Sequence, residues 1–343
     1  MKKSLLVLAL LAGFVGVAAA QSSVTIYGKI DLAVGKASSS DDQVVADTSG
    51  SRIGFKGVED LGNGNKAFFA LEHRFSPDTG DSFNMVPNYP FWGGFAFVGL
   101  RGNWGAVTLG RLYAPTFTMV QNQVDPFAGE TLAQLRHVGM WGGRGALPVA
   151  YIPGAPIYGA QTYGLYVTQA GNSLANFRIN NAVRYDAKFG GFSFGVAAAE
   201  RVANQVNGNV PFSVAGSYEA GPLYVGLGYE DPTNQYDNLG SLAVRYNFGW
   251  ATLSAGATGG KNTLDMDTNS WILGGIVPWG SNDFKIGYAE SKQGSFKYKK
   301  VGLGVQHNLS KRTYIFADVS YVGGHLMMND ERTGYDLGIQ HNF

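Results

Sequence analysis

The chain has 343 residues, with 26 Lys and Arg against 25 Asp and Glu, 49 Gly, 13% aromatic residues and no Cys. The balanced charge excludes the strongly basic surface of a nucleic-acid-binding protein, and the lack of Cys excludes disulfides and thiolate chemistry. The length suits either two soluble domains or one barrel of many strands, since each membrane crossing by a strand needs only about 9–11 residues.

The first twenty residues have the pattern of a secretory signal peptide. Lys2 and Lys3 precede an apolar stretch from Leu5 to Val17, and Ala18-Ala19-Ala20 offers a small-residue cleavage site before Gln21. We therefore expect residues 1–20 to be removed and residues 21–343 to form the exported protein. The apolar stretch is too short for a membrane helix, and no other segment approaches one. A membrane location would then require a closed β-barrel, because lipid leaves no partner for unpaired backbone groups.

Alternation of apolar and polar residues with a period of two predicts about sixteen strands. The connections between them alternate between short and long, as in outer-membrane barrels, and an even count puts both ends of the chain on the periplasmic side. The predicted strands are Val24–Lys36, Ser51–Glu59, Lys66–Phe75, Gly94–Arg101, Trp104–Arg111, Arg178–Phe189, Phe192–Val202, Phe212–Glu219, Leu223–Glu230, Leu239–Phe248, Trp250–Gly259, Ser270–Pro278, Asp283–Lys292, Lys297–Asn308, Arg312–Val322 and Thr333–Phe343.

Charged residues recur on one face of many of these strands, so that face is in contact with water. A soluble β-sandwich with a wet outer surface would give the same alternation and is the alternative. Aromatic residues near strand ends favour the membrane barrel, in which they form belts at the two interfaces; they include Tyr27, Trp104, Trp250 and Phe343.

The last strand places Tyr335, Leu337, Ile339 and Phe343 on its apolar face. An aromatic residue at the end of such a strand resembles the sorting signal of bacterial outer-membrane barrels. The resemblance implies that Phe343 is an assembly signal for the barrel assembly machinery.

Three further segments resemble general porins of betaproteobacterial type. They are Ser51-Arg-Ile-Gly-Phe-Lys-Gly-Val-Glu-Asp-Leu-Gly-Asn-Gly64 with the strand that follows, Ala96-Phe-Val-Gly-Leu100 with Gly105-Ala-Val-Thr-Leu-Gly-Arg111, and Asn180-Asn-Ala-Val-Arg-Tyr185 with Gly190-Gly-Phe-Ser-Phe-Gly195. The resemblance implies an all-β fold, a 16-stranded antiparallel transmembrane β-barrel in the outer-membrane lipid. It also implies a homotrimer, latched by the loop between Ser76 and Phe91, which passes small hydrophilic solutes and ions.

The longest stretch without alternation runs from Leu112 to about Asn176. In porins the third loop folds into the lumen and narrows the pore, so the resemblance implies a constriction here. The candidates on this loop are the acids Asp125 and Glu130 and the cations Arg136 and Arg144. The loop is longer than usual for the family, and its segment near 145–176 has no clear counterpart.

The wall opposite the loop is expected to be basic, with Lys29, Arg52, Lys56 and Arg74 on the polar faces of three successive strands. Porins commonly have another wall Arg just before the Ala96 motif, where this chain has Gly93-Gly94. The remaining excess of cations predicts a modest preference for anions.

Two other functions remain open. An outer-membrane hydrolase, such as a phospholipase, would need a Ser or Thr nucleophile beside an outward-facing His, and His73 is a loose fit. A structural, adhesin-like barrel with a plugged lumen is the other. The five His have no metal-ligand spacing, so we expect neither a metal nor a cofactor.

Overall fold

The computed structural model describes residues 23–37, 42–82, 90–140, 178–200, 210–231, 238–261, 265–325 and 332–343. The predicted signal peptide, Arg144 and the loop segment near 145–176 lie outside these ranges. Among the described residues, no helix has the length and apolar content needed to cross a membrane.

The described residues form eighteen strands. They are β1 Ser23–Lys36, β2 Val44–Ala46, β3 Arg52–Gly62, β4 Asn65–Ser76, β5 Asp81–Ser82, β6 Phe95–Gly102, β7 Gly105–Tyr113, β8 Arg178–Phe189, β9 Phe192–Ala199, β10 Phe212–Ala220, β11 Leu223–Asp231, β12 Asn238–Asn247, β13 Thr252–Lys261, β14 Asp267–Trp279, β15 Asn282–Gln293, β16 Phe296–Asn308, β17 Thr313–His325 and β18 Arg332–Asn342.

All pairings between neighbouring strands are antiparallel, and β18 pairs with β1 to close the sheet on itself. β2 and β5 have three and two residues, and they pair with the ends of β1 and β4. The other sixteen strands make a closed barrel, which confirms the predicted fold. Within the described ranges, closure pairs both edges of the sheet, as lipid requires.

The two faces of each strand differ as a lipid-facing wall and a polar interior would require. On β1, the outward Val24 and Ile26 are 67% and 59% exposed, whereas the inward Lys29 and Asp31 are 1% and 0% exposed. The predicted parity of β1 is therefore confirmed. The assignment of Tyr27 to an outer aromatic belt is wrong, because its hydroxyl donates to the inward Glu72 at 3.2 Å.

The main apolar core lies between the wall and the long loop that follows β7. The described part of this loop includes a π-helical turn, Phe117–Gln121, and one α-helical turn, Arg136–Gly139. Its buried apolar side chains pack against small and aliphatic inward residues of β10, β12, β14 and β15. These loop residues are Val120, Val124, Phe127, Ala133, Leu135, Val138 and Met140.

Candidate functional site

Three cations stand in one row across the inner wall. Lys29 on β1 pairs in register with Arg52 on β3, and Arg52 pairs with Arg74 on β4. Paired residues of antiparallel strands lie on the same face, so all three side chains point inward from adjacent strands. We call Lys29, Arg52 and Arg74 the basic row.

Lys56 lies away from this row. It is four residues from Arg52 along β3, or about 13 Å at the rise of a strand, toward the short turn that joins β3 to β4. Its ammonium group is 5.1 Å from the centre of the Tyr27 ring.

Glu72 explains why a glycine occupies position 94. Glu72 is 2% exposed and accepts a hydrogen bond from Arg74 Nε at 2.9 Å. A Cβ atom at Gly94 would stand 2.7 Å from the Cβ and Cγ of Glu72. A larger residue at 94, such as the Arg of the family pattern, would therefore displace the acid that orients Arg74.

The long loop is fastened to the far wall near its start. The carboxylate of Glu230 on β11 accepts hydrogen bonds from Thr116 Oγ1 and from Gln121 Nε2, the latter at 3.0 Å. The backbone N–H of Thr116 donates to Ser213 Oγ at 3.2 Å. These buried polar contacts hold the start of the loop against β10 and β11.

Further along, the loop approaches the wall closely where the wall has glycines. The ring of Phe127 lies over Gly302 and Gly304 of β16, and Cβ atoms there would be 2.8 and 2.9 Å from its carbons. The next contact is at Leu132, whose N–H donates to Asp336 at 2.9 Å and whose carbonyl accepts from Lys300 at 2.6 Å.

Asp125 shapes the loop from inside. Its carboxylate accepts hydrogen bonds from the backbone N–H groups of Phe127 at 3.0 Å, Gly129 at 3.1 Å, and Leu135 and Arg136 at 2.9 Å. Four such bonds occupy both oxygens, so Asp125 is a brace of the loop.

Arg136 is a second internal brace. Its guanidinium donates to the carbonyl of Ala128 at 3.1 Å and to the side chain of Asn122, and lies 5.0 Å from the centre of the Phe117 ring. The side chain is 7% exposed. The neighbouring His137 stays neutral at physiological pH, because burial and the charges of Arg136 and Lys300 lower its pKa well below the ordinary value.

Glu130 is the loop acid that meets the basic row. It forms an ion pair with Lys29, lies 3.7 Å from Arg52 Nη2 and accepts a hydrogen bond from Tyr314 Oη at 3.3 Å. Burial alone would raise the pKa of Glu130, but Lys29 and Arg52 outweigh burial and keep that pKa below its ordinary value. The acid is therefore ionised at neutral pH.

Two cations that the sequence analysis did not select also lie at this level. Arg178 Nη2 donates to Tyr113 Oη at 3.0 Å, with its guanidinium 4.8 Å from the centre of that ring. Arg111 Nε donates to the carbonyl of Gly93 at 2.9 Å, on the wall where the family Arg is missing. Their positions in the sequence could have identified them as candidates. Arg111 lies near the end of β7 and Arg178 begins β8, so the two residues flank the long loop.

Charges of both signs surround the basic row. Besides Glu72, Asp125 and Glu130, the inward acid Asp31 shares the face of β1 with Lys29, while Asp336 and Lys300 both contact the loop at Leu132. Fixed charges arranged in this way can discriminate between small solutes of opposite charge. Within the described ranges, no cluster of three or more His, Cys, Asp or Glu could bind a metal ion.

Comparison with known sequences gives relatives over the whole length. Residues 6–324 match the family described as Gram-negative porin. The chain is 31% identical to outer membrane porin protein 32 of Delftia acidovorans and 30% identical to an outer membrane porin protein of Bordetella pertussis. Each alignment covers 100% of both chains.

Solved structures agree with the sequence relatives. An anion-selective porin from Comamonas acidovorans superposes with a TM-score of 0.72 and 26% identity, covering 94% of this chain and 100% of that one. OmpF of Salmonella typhi superposes with a TM-score of 0.66 over 93% of this chain and 97% of its own, and at 17% identity this likeness concerns the fold alone.

Proposed function

The chain belongs to the Gram-negative porin family and is a channel of the bacterial outer membrane, and we propose that it admits small hydrophilic solutes with a modest preference for anions. Family membership sets aside the hydrolase and the adhesin-like barrel, since porins are non-enzymatic channels. The observation that supports the preference is the register of Lys29, Arg52 and Arg74, which places three cations side by side on the inner wall. The anion-selective relative from Comamonas acidovorans supports the same conclusion.

In this proposal the solute passes the exposed side of Arg52 beside the loop. Arg52 attracts the passing anion and Glu130 compensates part of its charge, while the buried Lys29 and Arg74 are paired with Glu130 and Glu72. Asp125 and Arg136 act indirectly, by keeping the shape of the loop. Lys56 attracts anions on the periplasmic side, and Arg144 remains a candidate of the same loop.

The preference follows from electrostatics in a narrow, poorly screened passage. An unpaired unit charge 4 Å from an ion is worth about 1 kcal/mol even in water, which is about fivefold in relative permeability. The apolar wall strengthens this field, and salt weakens it, because the screening length falls to about 3 Å at 1 M. We therefore expect weak to moderate selectivity that fades at high salt.

Planar-bilayer recording of the purified protein tests the proposal. A water-filled channel has a conductance that rises with the conductivity of the salt solution, and a salt gradient gives a reversal potential of the sign for anions. A preparation that inserts but does not conduct would overturn the open channel. A cation preference would overturn the selectivity while leaving the channel in place.

We also propose a homotrimer and an exported, processed chain. The loop between Ser76 and Phe91 would contact the adjacent subunit, and removal of residues 1–20 would leave Gln21 as the first residue. A trimer that resists SDS and dissociates on boiling supports the assembly; a monomer in mild detergent at all concentrations contradicts it. Mass spectrometry of outer-membrane material tests the cleavage.

A further inference from the structure

Three phenylalanines face the lumen on β4 and β6. Glu72 points inward, and side chains alternate along a strand, so Phe68, four residues earlier on β4, also points inward. Phe95 pairs in register with Glu72, and Phe97 lies on the same face of β6. The interior of an outer-membrane barrel is ordinarily polar, so large apolar side chains on this face need an explanation.

The three rings belong to a continuous series of aromatic contacts. Ring centres are 6.2 Å apart for Phe68 and Phe97, 5.6 Å for Phe97 and Phe95, and 4.8 Å for Phe95 and Tyr113 of β7, all in edge-to-face geometry. The Tyr113 ring lies 4.6 Å from that of Phe117, at the start of the long loop. We call Phe68, Phe97, Phe95 and Tyr113 the aromatic row. It extends from the periplasmic half of β4 to the loop.

The phenylalanines of the aromatic row remain partly exposed. Because they point inward, the exposed part of each ring is turned toward the lumen. Inward apolar residues on the opposite wall differ, since the loop covers them; Ile272 of β14, packed against loop residues, is 0% exposed. Partly exposed rings inside a water-filled channel offer contact area to solutes that have an apolar part.

A glycine allows one of these rings to lie against the wall. Gly99 of β6 pairs in register with Phe68. A Cβ atom at Gly99 would stand 2.5 Å from the Phe68 ring, so any other residue at position 99 would push this ring away from the wall. The position of Phe68 is therefore fixed by the sequence of the neighbouring strand.

Arginines lie at both ends of the aromatic row. The guanidinium of Arg178 is 4.8 Å from the centre of the Tyr113 ring and 5.8 Å from that of Phe95. At the other end, the guanidinium of the exposed Arg101 is 5.5 Å from the centre of the Phe68 ring. A guanidinium that stacks on a ring can still donate hydrogen bonds to a carboxylate from its edge.

The acid beside Phe95 does not cancel this attraction for anions. Glu72 is 2% exposed, forms an ion pair with Arg74 at 2.9 Å and accepts a hydrogen bond from Tyr27 at 3.2 Å. Its charge is therefore compensated locally. Arg52 is close enough to act together with the row, because only β4 lies between β3 and β6, which places these strands about 10 Å apart.

We infer that the aromatic row is a stacking path for small aromatic carboxylates, of which benzoate is the simplest. The ring of the solute contacts Phe95 and Phe97 while its carboxylate accepts hydrogen bonds from Arg178 or Arg52, and the solute then passes Phe68 toward the periplasm. This inference rests on the proposed function, since a permeating solute meets the row only in an open lumen. A non-aromatic acid would gain the charge contacts without the ring contacts.

Block of the chloride current by benzoate tests the path. In a planar bilayer with potassium chloride on both sides, benzoate should reduce the current more strongly than cyclohexanecarboxylate, an acid of equal charge and similar size. The double variant Phe95→Leu, Phe97→Leu keeps apolar side chains but removes both rings. It should weaken the benzoate block by roughly tenfold, at about threefold per aromatic contact. Equal block by the two acids, or undiminished block in the double variant, would overturn the inference.

The matched control makes the same changes on the lipid-facing side. Phe194 and Phe284 point outward and are 43% and 41% exposed. The double variant Phe194→Leu, Phe284→Leu should be blocked by benzoate as the unchanged protein is. An equal loss of block in this control would show that the effect does not come from the aromatic row.

Saturation-transfer NMR of the purified protein in detergent detects binding without any current. The ring protons of benzoate should receive a clear signal from the unchanged protein and the control, above that of protein-free micelles, and a much weaker one from Phe95→Leu, Phe97→Leu. Equal signals would overturn the path even if no channel conducted. Reversal potentials in potassium chloride without benzoate test the channel separately and should keep the sign for anions in all three proteins.

Discussion

At the scale of single residues, the loop acids Asp125 and Glu130 lie only five positions apart but have different roles. Asp125 accepts backbone hydrogen bonds from four residues and fixes the loop. The side chain of Glu130 instead points away from the loop toward Lys29 and Arg52. We therefore propose that Glu130 contributes more than Asp125 to the field that a permeating ion meets.

Replacing Glu130 by Gln should increase the anion preference. The change removes one negative charge beside Arg52, and a unit charge at 4 Å is worth about fivefold in relative permeability at most in water. Reversal potentials in a salt gradient measure the effect. Glu59→Gln, which removes the same charge from the outward face near the periplasmic turn, should change nothing. A Glu130→Gln channel with the original reversal potential would show that this acid does not face the permeating ions.

The pH dependence of the same variant supplies a second prediction. Because the folded pKa of Glu130 lies below its ordinary value, the acid stays charged, and its ion pair stays intact, until the pH falls through that lowered value. The difference between the unchanged and Glu130→Gln channels should thus be constant from pH 7 to about pH 5. It should vanish only in stronger acid. A difference that disappears near pH 6 would contradict the assigned ion pairs.

At the scale of elements, period-two alternation was sufficient to predict all sixteen barrel strands. Arg178–Phe189 has the predicted bounds, and others differ by up to about three residues at an end. The pattern is strong because each strand separates lipid from water over its whole length. β2 and β5 are too short for any period to mark them.

The sequence was less informative about the loop, because its partners are distant along the chain. Glu130 meets Lys29, and Leu132 meets Asp336, more than 100 and 200 positions away. No local pattern indicates which acid turns toward the wall. Tyr27 was wrongly assigned to the outer aromatic belt for a related reason. Its hydroxyl donates a hydrogen bond to an inward acid that is distant along the chain, and no local pattern indicates that contact.

The packing of the Phe127 ring against β16 gives a prediction about the position of the whole loop. A methyl group at Gly302 would stand 2.5 Å from the carbonyl of Ala133 and 2.8 Å from the Phe127 ring, so Gly302→Ala should push the loop from the wall. Such overpacking costs about 1–3 kcal/mol. We expect altered conductance and more current noise at an unchanged trimer yield. Gly240→Ala is the control, since the nearest atom there is 3.6 Å away. Identical single-channel traces for both variants would contradict the packing argument.

At the scale of the whole molecule, the barrel is closed by its first and last strands. Phe343 exchanges two backbone hydrogen bonds of 3.0 Å with Gly28, and its ring covers the place where a Cβ of residue 28 would stand. The outer surface beside this seam is apolar, with Leu337 and Ile339 57% and 49% exposed. Phe343 thus takes part both in the closure of the barrel and in its apolar outer surface.

Phe343→Asp should therefore reduce assembly in the outer membrane strongly. The carboxylate would lie on the lipid-facing side of the seam, and the ring over Gly28 would be lost. The amount of heat-modifiable, folded barrel in outer-membrane fractions measures assembly. Leu309→Asp, an exposed apolar position in a periplasmic turn, should have little effect. Folded protein at the original level in the Phe343→Asp strain would refute the proposed assembly signal.

The most direct test of the basic row is the reversal potential of the reconstituted channel, with and without Lys29 and Arg52. In a gradient of potassium chloride, the unchanged protein should give the sign expected for anions. The double variant Lys29→Gln, Arg52→Gln should shift it toward cations with little gain in conductance, because Glu130 loses both partners while the loop keeps its other anchors. A cation preference of the unchanged channel, or an unshifted potential in the double variant, would contradict the account.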